Sequence, residues 1–107
     1  MKILYFMLIT ILFMISVNLS ANNKEFGVNL PGVKVDEHLY RSTAKIYQII
    51  KYLRKKGLTS YEKESFETPK VSVTHLKSLK TKSKWEGINV YRYKKLTYIY
   101  IIPRKKQ

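Results

Sequence analysis

The chain has 107 residues, 21 of them Lys or Arg against 7 Asp or Glu, giving a formal net charge of +14, and 45% of it is hydrophobic. That length holds one small domain, and the apolar share is too high for a disordered polycation, which lacks the surface to offset its ordering entropy. The absence of cysteine excludes disulfide staples, thiol catalysis, cysteine zinc sites and a lipidated-cysteine anchor, while the charge points to an anionic partner: nucleic acid, an anionic glycan or lipid, or an acidic protein surface.

Residues 1–21 have the layout of a secretory signal peptide. Lys2 supplies a positive start, residues 3–17 form an uncharged apolar run, and Ala21 is a small residue before a cleavage point. The competing reading is an uncleaved anchor, because the run extended to Ala21 approaches the ~20 residues of a spanning helix. The strictly apolar part is shorter, and Asn18, Ser20, Asn22 and Asn23 follow it. The expectation is therefore a secreted or extracytoplasmic protein, with a single-pass membrane-anchored form as the alternative.

Residues 22–35 read as an extended linker broken by Gly27, Pro31 and Gly32. A small basic domain is expected over residues 36–107. It opens on the strongest local pattern in the chain. Asp36 is a good N-cap, and Leu39, Thr43, Ile46, Ile50 and Leu53 recur at helical spacing. Arg54, Lys55 and Lys56 close the run before Gly57, which suits a helix C-terminus. One helix is expected over residues 36–56, with Arg41, Lys45, Gln48, Tyr52 and Lys55 as its polar face. That face is either plain solvated surface or a basic strip for peripheral membrane contact.

Thr59 or Ser60 could cap a second, short helix through Phe66, stopped by Pro69. Residues 71–84 are ambiguous, since Val71 and Val73 alternate like a strand while Leu76 and Leu79 extend a helical face. The C-terminus reads as a β-hairpin: a strand over 88–93, a turn at Lys94 and Lys95, and a strand over 97–102, ended by Pro103. In the last strand Thr97, Ile99 and Ile101 share one face, and Tyr98, Tyr100 and Ile102 the other. The expected fold is α+β, with one long amphipathic helix packed on a small antiparallel sheet that ends in the C-terminal hairpin.

Three functions compete. The first is a non-enzymatic binder of an anionic macromolecule or surface, without cofactor or metal. Its contacts would come from Lys77, Lys80, Lys82 and Lys84, from Tyr91, Arg92, Tyr93, Lys94 and Lys95, from Tyr98 and Tyr100, and from Arg104, Lys105 and Lys106. Rings would stack on bases and cations would meet phosphate; the bland alternative is tyrosine pairing that only stabilises the sheet. Second, the arrangement over residues 46–102 resembles a winged helix-turn-helix. That resemblance implies a recognition helix at 71–82, a wing at 90–102 and a membrane-anchored DNA binder. Third is a secreted ribonuclease with His38 and His75 as acid and base, aided by Glu62, Glu64, Glu67 or Glu86. No nucleotide loop, serine elbow or paired-histidine metal spacing accompanies them.

Overall fold

A computed structural model describes residues 23–105. The leader assigned to residues 1–21, and Lys106, lie outside these residues. Eight strands and one helix are formed within them: β1 (Asn23–Glu25), β2 (Val28–Leu30), β3 (Val33–Asp36), β4 (Leu39–Ser42), α1 (Ile46–Lys55), β5 (Tyr61–Glu67), β6 (Ser72–Ser78), β7 (Trp85–Tyr93) and β8 (Leu96–Pro103). Strands β1 and β2 make a small hairpin, and the other six form one antiparallel sheet in the order β3-β4-β8-β7-β6-β5.

The register sorts the sheet into two faces, because directly opposed residues share a face. Ser42, Thr97, Arg92 and Ser72 line up on one side, as do Tyr40, Ile99, Val90 and Thr74. This inner face carries the core. Tyr40, Leu76, Ile88, Val90, Ile99 and Ile101 are buried there, beneath Ile49 and Leu53 of α1 and Val28 and Leu30 of β2. The other face has no layer above it among the described residues.

The β1–β2 hairpin is tied down by one carboxylate. Glu25 accepts the Tyr40 hydroxyl at 2.7 Å and the Nδ1–H of His38. Burial alone would push Glu25 up, but these two hydrogen bonds outweigh it and hold the carboxyl below its ordinary range. Burial and the same carboxylate push the Tyr40 phenol well above its ordinary value.

The expected α+β fold with one long helix is corrected: the described residues are mostly β, with a single ten-residue helix among them. Asp36 caps a turn instead of a helix, its Oδ1 accepting the Glu37 N–H at 2.8 Å. Residues 39–42 then pair with β8 along Leu39↔Tyr100 through Ser42↔Thr97. The alternation of Tyr40 and Ser42 (buried) with Arg41 (exposed) satisfies the sheet as well as a helix stripe would have satisfied a helix. The open edge of β8 decides between them. The short helix expected after Thr59 is likewise a strand, β5, paired with β6 along seven residues. Residues 72–78, the core of the would-be recognition helix, are strand β6, so the winged-helix arrangement does not form. The segment expected as a linker over residues 22–35 is, from Asn23 on, paired in β1–β3.

Candidate anion-binding groove

α1 begins after a local switch out of β4. The Ser42 hydroxyl accepts the Ala44 N–H at 3.1 Å, and the Gln48 side chain accepts the Lys45 N–H at 2.8 Å. The helix ends on Gly57, where φ is 105°. There Gly57 N–H reaches Arg54 O at 3.1 Å and Leu58 N–H reaches Leu53 O at 2.9 Å, the paired closure that a left-handed glycine permits. Between these stops Ile49 and Leu53 are buried. Tyr47, Lys51, Arg54 and Lys55, at helical spacing on another side, are exposed.

α1 packs on β7 and β2 and leaves an opening toward Ser65 and Glu67 of β5 and Ser72 of β6, while Thr74 and Leu76 of β6 stay buried. An open groove of about 1300 Å³ results. Its helix wall carries Lys45, Lys51, Arg54 and Lys55, with Tyr47, Ile46 and Ile50 beside them; its sheet wall carries Lys63, Arg92 and Glu67, with Ser65, Ser72 and Thr74 between them and Phe66 and Val73 at its border. Six cations thus face one carboxylate across a hydroxyl-bearing floor. Among the described residues no Lys or Arg is ion-paired with a carboxylate; the pairs formed are those of His38 with Glu25 and Glu37. The groove charge is therefore uncompensated within the fold.

Arg92 is the anchored member of the set. Its Nη1 donates to Ala44 O at 3.1 Å and Thr97 Oγ1 at 3.0 Å, and its Nη2 to Lys95 O at 3.3 Å. The first of these bonds fastens the start of α1 to the hairpin, and the other two brace the hairpin itself.

The contact residues expected from the sequence do not gather into one site. Lys94 and Lys95 occupy the β7–β8 turn, both with positive φ. Lys80, Lys82 and Lys84 lie in the β6–β7 loop at the opposite end of the hairpin, roughly 27 Å away at ~3.4 Å per residue. Arg104 is used to hold that loop, donating from Nε to Ser83 O at 3.0 Å and from Nη2 to Lys80 O at 3.2 Å; Lys105 follows it, exposed. Lys77 stands on the outer face opposite Gly87. Tyr91, Tyr93, Tyr98 and Tyr100 share that outer face, where Tyr91 and Tyr98 stack with centroids 5.2 Å apart and planes 15° apart. Burial and the neighbouring Tyr98 push the Tyr91 phenol upward.

The two histidines do not converge. His38 is held by Glu25 on the covered side of the sheet. His75 lies on the outer face, hydrogen-bonded to Asn89 and close over Gly87. Of the carboxylates paired with them in the ribonuclease reading, Glu64 is opposite His75 in the register and Glu67 lies on the other face. Among the described residues no group of three or more His, Asp or Glu could hold a metal ion, and no helix is long and apolar enough to cross a membrane.

A helix read from Asp36 puts Arg41 and Tyr52 on the polar face and hides the groove. The spacing of Tyr47, Lys51, Arg54 and Lys55 was the signal that could have found it. No family model matches the chain, and no curated protein or solved structure matches it.

Proposed function

We propose that this chain is an exported binding protein for an anionic macromolecule, which it grips in the groove between α1 and the β5–β6 wing. The observation that carries the reading is the six groove cations facing a single carboxylate, none of them paired to an acid within the fold. Cations on two walls suit phosphate, sulfate or carboxylate groups repeated along a strand, and the Ser and Thr hydroxyls between them offer further hydrogen bonds. Lys80, Lys82 and Lys84, exposed in the β6–β7 loop, extend the positive field and assist capture more than hold.

The test is binding of a labelled single-stranded oligonucleotide, a sulfated glycan and anionic vesicles to the purified protein and two variants. Lys51→Glu with Arg54→Glu should abolish binding to whichever probe binds, and Lys80→Glu with Lys82→Glu should weaken it only severalfold. No binding of any probe at low salt, or a larger effect from the loop pair, overturns the reading.

A further inference from the structure

The outer sheet face has a chemistry opposite to that of the groove. One row crosses the sheet from edge to edge: Val33, Arg41, Tyr98, Tyr91, Val73 and Phe66, each opposed to the next in the register. Five of the six are apolar or aromatic, and Val33 and Phe66 at its two ends are 55% and 58% exposed. The ionised strand residues of this face are Arg41 and Lys77 against Asp36, Glu62 and Glu64, by the same register. On a chain of net charge +14 this face is close to neutral, slightly negative.

A polyanion is not drawn to such a face, and two copies of a strongly basic chain can approach there with the least repulsion. We propose that the outer face is a self-association interface, on which a second copy packs sheet against sheet. The six strands make this possible with a two-fold axis parallel to them, between β8 and β7. Each strand left of the axis then meets its counterpart from the right: β8 meets β7, β4 meets β6 and β3 meets β5. Tyr98 of one copy comes over Tyr91 of the other, and Val33 over Phe66, giving a self-complementary contact of the kind closed dimers use. Sheets stacked this way sit about 10 Å apart, with apolar side chains interdigitated.

The size sets the strength. Six strands at ~4.8 Å spacing and ~20 Å of shared length give a footprint on the order of 500 Å² per copy. Stable interfaces bury about 800 Å² per partner, so this dimer lies at the weak end of specific association.

Sedimentation equilibrium of the purified protein at about 0.1 M and about 1 M NaCl tests the proposal, the Debye length shrinking from about 10 Å to about 3 Å between them. The expected result is a monomer–dimer equilibrium that tightens at the higher salt, because screening removes repulsion between the two chains. Polyanion binding in the groove moves the other way with salt, so failure of one reading is distinguishable from failure of the other. Val33→Lys with Phe66→Lys, at exposed positions, should leave the thermal melt in place and give a monomer; because Phe66 also borders the groove, Val33→Lys alone should weaken the dimer and leave polyanion binding unchanged. Leu79→Lys, exposed in the β6–β7 loop, should still dimerise. A monomer throughout a range reaching about 1 mM, or a dimer that persists in the double variant, overturns the proposal.

Discussion

Replacing Gly32 with alanine isolates the contact that docks the β1–β2 hairpin segment against the sheet. Gly32 has φ 91°, and a Cβ there would stand 2.3 Å from Arg41 O and 2.9 Å from Arg41 C. That carbonyl belongs to β4, held on both sides by β3 and β8, so relief requires breaking ladder pairing. Gly27 is the internal control: its φ is 80° but a Cβ would meet nothing within 4 Å. Both alanines incur the left-handed strain of about 1–2 kcal/mol and gain the same small unfolded-state benefit. Only Gly32→Ala also loses about two ladder hydrogen bonds at ~1 kcal/mol each. The expected difference between the variants is about 2 kcal/mol, a large part of the stability of so small a domain. Urea unfolding followed by the fluorescence of Trp85, 5% exposed and the sole tryptophan, reads it directly. Equal midpoints for the two variants would refute the steric argument and the placement of the segment.

Other expectations follow from the same geometry. Arg92→Met removes three donated hydrogen bonds, one to Ala44 O before α1 and two within the hairpin, and should lower stability by about 2 kcal/mol in urea titration. Because the Glu25 carboxyl is held below its ordinary value of 4.5, its contribution is complete above that value and lost as pH falls through the depressed one. Glu25→Gln should therefore lower stability at neutral pH and flatten the acid limb of the stability profile; an unchanged acid limb would show that the clamp does not form. Tyr98→Ala and Tyr100→Ala, on the near-neutral outer face, should change oligonucleotide affinity by less than about twofold, whereas loss comparable to the groove variants would restore the tyrosines as the contact surface.

The parts of the fold legible in the sequence are those whose decisive partners are near in the chain. The hairpin of β7 and β8 declares itself by alternation around a Lys94–Lys95 turn, and the end of α1 by Gly57 after a basic run. Strands β4 and β5 were not legible, because each pairs with a strand whose relevance only the assembled sheet shows. Leu39 to Ser42 meet β8 nearly sixty residues away, and the Glu-rich segment after Ser60, a good local helix former, is fixed by β6. The candidate site suffered the same way. Basic residues of the hairpin looked contiguous along the chain, yet the structure sends them to opposite ends and spends Arg92 and Arg104 on internal bonds. The groove instead joins α1 to a wing that the sequence had not identified as sheet.

The salt dependence of oligonucleotide binding is the most direct test of the groove as a polyanion site. Each phosphate neutralised on a single strand contributes about −0.7 to the slope of log K against log salt. With the five groove cations other than Arg92 engaged, namely Lys45, Lys51, Arg54, Lys55 and Lys63, the wild-type slope should be about −3.5. Lys51→Ala with Arg54→Ala should make it shallower by about 1.4. A slope near zero, or one that the double variant leaves unchanged, would contradict the account.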